Sequence, residues 1–267
     1  MPLYEYDHLL GWANVQRHVA EEITLLCDMH HREKTSGLLP LELVNAANRD
    51  PFNLRQGVSK PHDLHYSGDE CEIVLGSSSF TTKDQGERTL SIPLVIDGVP
   101  IIGFVLSDGH LLLNLQLFDE QNNLIALIQN NRLAYSTSPW DIRLAGRNLV
   151  IRAGQRRILI DLVFEVPNKV VIRRGRLLLN GVEVVIQPDY TLVVNNGNLL
   201  GSATVKGTPF GLVLGNQDVP APTALRFTHI PRYSHNTIAA MRNARKRMTE
   251  MKAMKRTSPP PSSGDVG

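Results

Sequence analysis

Cysteine is scarce in this chain. Only Cys27 and Cys71 occur among its 267 residues, too few for a disulfide framework, so the fold must rest on core burial or on metal. Long apolar runs are missing as well: no stretch approaches the roughly 18 uninterrupted apolar residues of a membrane span. The opening MPLYEYDHLL also lacks the basic-then-apolar layout of a secretory signal. A cytoplasmic protein without a membrane partner is the expectation. Nor does either sign of charge dominate. The formal net charge of +2 says little about partners, but its distribution says more. Arg242, Arg245, Lys246, Arg247, Lys252, Lys255 and Arg256 stand against one acid, Glu250, within 15 residues of the tail, which leaves the body slightly acidic. The length suits one large or two ordinary domains, and 42% hydrophobic residues is ordinary for a globular protein.

Local patterning divides the chain. Residues 1–55 hold four of the nine histidines and two helical stretches. Asp28–Lys34 begins on a capping Asp and stops near Ser36-Gly37, and LELVNAANR (41–49) has helical apolar spacing and is closed by Asp50-Pro51. Residues 70–230 change to short β-type runs such as CEIVLG, HLLLNLQLF, RRILIDLVFEV and VEVVIQ. Turn pairs punctuate them: Asp97-Gly98, Asp108-Gly109, Asn180-Gly181, Asn196-Gly197 and Pro188-Asp189. This region is expected to be all-β. Its closely spaced strands suit the stacked coils of a β-solenoid slightly better than an antiparallel sandwich with tight hairpins. Residues 234–256 read as a basic helix with Met241, Met248, Met251 and Met254 at helical spacing, able to pack on a protein partner or to meet nucleic acid. Residues 257–267 read as a disordered tail.

Chemistry concentrates near the start. Asp7-His8 sets an acid beside a base, the apolar run ITLLC follows a loop, and Cys27, His30 and His31 fall within one helical turn. A Cys-x-x-His pair can give two ligands to one zinc ion. His31, offset by about 100° of helical rotation from His30, can face a different site.

The segment from about residue 4 to residue 40 resembles the HNH endonuclease family. The likeness lies in Asp7-His8, a loop over 9–21, Glu22-Ile23-Thr24-Leu25-Leu26-Cys27, and His30-His31-Arg32-Glu33-Lys34-Thr35. It implies a ββα-metal unit that hydrolyses phosphodiester bonds in nucleic acid, with DNA as the partner. In that family His8 would be the general base, and Asp7 and His31 would hold a divalent ion (Mg, Mn or Zn). Cys27 and His30 would be half of a structural zinc knuckle. Glu22 stands where the family usually carries an Asn that orients the base, and so joins His8 as a catalytic candidate. Lys34, Arg245, Lys246 and Arg247 are the candidate nucleic-acid contacts. The knuckle's other pair usually lies a dozen or more residues before Asp-His, so the unit is expected to be truncated. A protein from a different class is the alternative: a non-catalytic binding or scaffold protein whose β-domain is the working surface. Lesser candidates are His18, a His62/His65/Cys71 metal site, and Trp140-Asp141 as a core anchor and turn.

Overall fold

The computed structural model describes residues 4–232, apart from 60, 87, 137, 138, 140 and 196. The basic stretch 234–256, with Arg245, Lys246 and Arg247, the tail 257–267 and Trp140 therefore lie outside the described residues. The chain is mainly β. Among the described residues no helix is long and apolar enough to cross a membrane.

The N-terminal region is a strand–loop–strand–helix unit. Strand β1 (Glu5–His8) pairs antiparallel with β2 (Ile23–Leu26), and between them lie a single turn α1 (Trp12–Val15) and a 3-10 turn Ala20–Glu22. Helices α2 (Asp28–Thr35), α3 (Leu41–Arg49) and α4 (Phe52–Gln56) follow. The two longer helices fall where their cap, stop and spacing signals place them, with one difference in capping. Cys27, not Asp28, is the N-cap of α2, and Asp28 sits in the first turn, where its carboxylate takes the Arg32 guanidinium. The helix stops as expected: Gly37 adopts φ +78°, which its missing Cβ allows.

This unit has almost no core. Between residues 4 and 58 only Thr24 and Val44 are buried among the described residues. Ten of the large exposed apolar side chains lie there: Tyr6, Leu10, Trp12, Leu25, Met29, Leu38, Leu43, Phe52, Leu54 and Val58. So small a buried set cannot offset the entropy of ordering some fifty residues, and units of this kind normally depend on a metal, a disulfide or a partner. The hydrogen bond from Thr24 Oγ1 to Asn48 Oδ1 (2.8 Å) ties β2 to α3. Tyr4 Oη donates to Asp141 Oδ1 at 3.3 Å, linking the unit to the first strand of the sheet that follows.

The remainder builds two sheets. In one, the strands from Thr89 to Tyr135 run as an antiparallel meander, extended at one edge by Phe210–Leu214 and Thr223–Phe227 and at the other by His62–Asp63. In the other, the strands from Asp141 to Leu200 pair antiparallel in chain order. Glu70–Leu75 lies parallel to Lys169–Leu179 and also carries the hairpin partner Ser78–Lys83. The β region thus begins at His62, slightly before the expected residue 70.

The slight preference for a solenoid is not what the pairing displays. Solenoid coils stack in parallel, whereas these strands mostly pair antiparallel with their chain neighbours, closer to the alternative of a sandwich with tight hairpins. Local turn chemistry accounts for this. Asp97-Gly98, Asp108-Gly109 and Asn180-Gly181 all have positive φ at both residues, the geometry of two-residue hairpins. Asn130 and Asn131 do the same at φ +48° and +68°. Inward side chains from both sheets (Leu94, Ile102, Phe104 and Leu113 from one; Ile160, Leu162, Leu177 and Val184 from the other) join a single apolar cluster.

Glycine is required at Gly211 for space. A Cβ there would lie 2.4 Å from the Phe80 ring and 2.6 Å from the Pro93 carbonyl oxygen. Gly211→Ala is expected to destabilise the β-domain by about 1–3 kcal/mol. The check is a lower urea midpoint at an unchanged denaturant slope.

Candidate functional site

Strand alternation decides what the N-terminal unit brings together. Register pairs Glu5 with Leu26, Tyr6 with Leu25, Asp7 with Thr24 and His8 with Ile23. Glu5 and Asp7 therefore project to one face of the ribbon, and Tyr6 and His8 to the other.

On the first face α2 packs with His31 and Lys34, three residues apart and so on one side of the helix. The His31 ring lies between two carboxylates: Nδ1 is 2.6 Å from Glu5 Oε2, and Nε2 is 3.5 Å from Asp7 Oδ1. Lys34 Nζ donates to Asp7 Oδ2 at 2.5 Å and to the His8 carbonyl at 2.6 Å. The Asp7 and Lys34 side chains are only 12% and 13% exposed, so this ion pair is largely desolvated. Lys34, expected as a nucleic-acid contact, has its ammonium engaged inside the unit.

On the second face His8 Nε2 lies 3.1 Å from the Arg17 carbonyl oxygen. A carbonyl can only accept, so the bond places the ring proton on Nε2 and leaves Nδ1 with the lone pair. Trp12 and His18 flank the ring at centroid distances of 5.1 Å each, and stack on each other at 4.9 Å. Arg17 is itself clamped. Its Nε donates to Glu22 Oε2 at 3.0 Å and its Nη2 to the other carboxylate oxygen. Glu22 also accepts from the Leu9 amide through its carbonyl, at 2.9 Å, which closes the base of the loop. The Arg17 hydrogen bond, opposed by desolvation, holds the Glu22 carboxyl below its ordinary range, with help from the charge of Arg17 and from His8. Glu22 is thus an ionised acceptor at neutral pH that fixes the backbone carrying the His8 partner.

Cys27 is exposed at the start of α2, with Sγ 3.5 Å from His30 Nδ1. A tetrahedral zinc with ordinary bond lengths separates its sulfur and nitrogen ligands by about 3.6 Å, so the pair fits as two of four donors. Two oxygen or nitrogen ligands of one ion lie about 3.0–3.4 Å apart, and the Asp7–His31 separation is close to that range. Among the described residues no three His, Cys, Asp or Glu side chains are grouped to hold an ion by themselves. Each pair is a partial donor set that water, phosphate or further donors would complete.

The other histidine set does not assemble. Cys71 is fully buried in the β core, its thiol pushed up to about 11 by burial, while His62 and His65 are exposed. Asp119 caps its own turn, accepting from the amides of Gln121 and Asn123 at 2.8 Å each. Sequence reasoning missed Glu5 and Arg17. Glu5 had a legible signal, since Glu5-x-Asp7 on a strand puts both carboxylates on one face; Arg17 had none beyond lying five residues before Glu22.

Compared with known proteins, the chain matches no family model, and neither curated proteins nor solved structures yield a match.

Proposed function

We propose that the N-terminal unit is a metal-dependent phosphodiester hydrolase site of HNH type, acting on nucleic acid. The observation that carries this reading is the convergence of Asp7 Oδ1 and His31 Nε2 at 3.5 Å, from a strand and the following helix. His8, next in the chain with its ring on the other ribbon face, has its tautomer set by the Arg17 carbonyl. In this reading His8 Nδ1 takes the proton from the attacking water, since Nε2–H is already donated. Glu22 is a positioning residue: through Arg17 it fixes the loop carbonyl that orients His8, the task the family gives to Asn. Asp7 and His31 would hold the divalent ion, which when bound stabilises charge on the scissile phosphate and leaving oxygen. Lys34 occupies Asp7 Oδ2 and leaves Oδ1 directed toward His31. Cys27 and His30 would hold part of a structural zinc, consistent with a unit that buries so little apolar surface.

The test is nicking of supercoiled plasmid DNA by the full chain with Mg²⁺, Mn²⁺ or Zn²⁺, against a chelator control. Cleavage that the chelator abolishes is expected; no cleavage with any of the three ions overturns the enzymatic reading. A second reading has two observations in its favour, the first being that the His8 and Asp7 side chains project to opposite faces of the ribbon. The second is that the Lys34 ammonium already pairs with the metal-site carboxylate, so the unit could be a non-catalytic cap for a β-domain that binds a partner. Under that reading a chelator leaves the melting temperature unchanged.

A further inference from the structure

We infer that Glu5 is a positioning residue for the metal site, fixing the His31 tautomer so that Nε2 is presented to the ion beside Asp7. The inference rests on the metal-site reading above and adds a residue to it. His31 has two ring nitrogens and a carboxylate at each, but the two contacts differ. Glu5 Oε2 lies 2.6 Å from Nδ1, a short charge-assisted hydrogen bond, whereas Asp7 Oδ1 lies 3.5 Å from Nε2, at the outer limit for one. A carboxylate only accepts, so the close contact requires the proton on Nδ1. A neutral imidazole protonated there carries its lone pair on Nε2, directed at the Asp7 oxygen that Lys34 leaves free.

Without Glu5 the preference would reverse. Asp7 would be the only carboxylate beside the ring, the neutral ring would place its proton on Nε2 to donate to it, and the metal-binding nitrogen would be blocked. Partners of this kind, which hold the far nitrogen of a ligating histidine, typically change metal affinity by about 10–100-fold when removed. Glu5 is not a third ligand. It meets the nitrogen away from Asp7, in keeping with the absence of any three-donor group among the described residues. Its position follows from β1 itself, where residues 5 and 7 share the face that α2 covers.

The test uses the full chain at a pH above the ordinary imidazole range. Side-chain nitrogen-15 spectra read the His31 tautomer without metal, and Mn²⁺ affinity is followed by electron paramagnetic resonance. Mn²⁺ is chosen because the softer Cys27–His30 pair does not favour it. The wild type is expected to carry the proton on Nδ1. Glu5→Ala is expected to move it toward Nε2 and to weaken Mn²⁺ binding about 10–100-fold. Glu5→Gln, whose amide oxygen still accepts from Nδ1–H, is expected to keep the tautomer and most of the affinity. A wild-type His31 protonated on Nε2 overturns the inference with no variant needed, which covers a Glu5→Ala chain that fails to fold. Unchanged affinity in Glu5→Ala alongside its loss in His31→Ala removes the role of Glu5 and leaves the site intact. Unchanged affinity in His31→Ala, or no Mn²⁺ uptake by the wild type, removes both.

Discussion

Alanine in place of His8 is expected to lower metal-dependent plasmid nicking by about 10²- to 10⁴-fold, the usual contribution of a positioned general base. The same variant should keep its Mn²⁺ affinity. Asp7 and His31 project to the opposite ribbon face, and His8 reaches the Lys34 side of the unit only through its main-chain carbonyl, which the substitution leaves in place. Its melting temperature should also change little, because the ring is half-exposed and its partners are a backbone carbonyl and two exposed rings. Asp7→Ala should behave differently, losing ion uptake together with cleavage. A His8→Ala protein that nicks DNA at the wild-type rate would sink the general-base role, and wild-type rates in both variants would sink the site.

The second large effect concerns stability. Arg176→Ala is expected to cost about 3–5 kcal/mol, because it strands a buried charge. Arg176 Nε donates to Glu183 Oε1 at 2.5 Å and its Nη2 to Glu120 at 3.1 Å, while the Glu183 side chain is 1% exposed. The other Glu183 oxygen is buried with no hydrogen-bond partner among the described residues. Burial raises the Glu183 carboxyl above its ordinary range, and the Arg176 bond and charge oppose that rise only in part. The folded state therefore holds its proton to higher pH than the unfolded state does. A group of this sign contributes stability below its unfolded pKa and loses it as pH rises through the folded one. Removing Arg176 raises the folded value further, so the deficit of Arg176→Ala should shrink as the pH falls from neutral toward the glutamate range. Urea unfolding at a series of pH values reads this directly. Glu183→Gln, which removes the charge and leaves Arg176 paired with Glu120, should cost clearly less. Equal losses in both variants would show that the ion pair is not what holds this part of the sheet.

Local signals in the sequence carry part of this structure. Helix 28–35 follows from the Asp at its start and the Ser36-Gly37 stop, helix 41–49 from apolar spacing and Asp50-Pro51, and the hairpins from Asp-Gly and Asn-Gly pairs that accept positive φ. Both are decided within a few residues. Sheet architecture is not: the parallel contact of Glu70–Leu75 with Lys169–Leu179 joins segments about a hundred residues apart, and no short-range pattern encodes it. Short, evenly spaced apolar runs suit coils and meanders alike.

The candidate site divides in the same way. Cys27 with His30 could be paired from spacing, whereas Asp7 with His31 was implied only by the family resemblance. The engagement of Lys34 by Asp7 was legible in principle, since residues 31 and 34 share a helix side. The role of Glu22 could not be read, because it runs through a loop carbonyl at Arg17, and a carbonyl has no sequence identity. Cys71 lies close enough in sequence to His62 and His65 to suggest a ligand, but alternation along its strand turns it into the core.

The contrast between the two cysteines also has a practical use. With Cys27 on the surface and Cys71 sealed in the β core, a maleimide dye should attach once to the native chain and twice after denaturation, countable by intact mass. The single native adduct would sit one helical turn from His31, a fluorescent reporter attached without any substitution, and zinc held by Cys27 would slow its attachment.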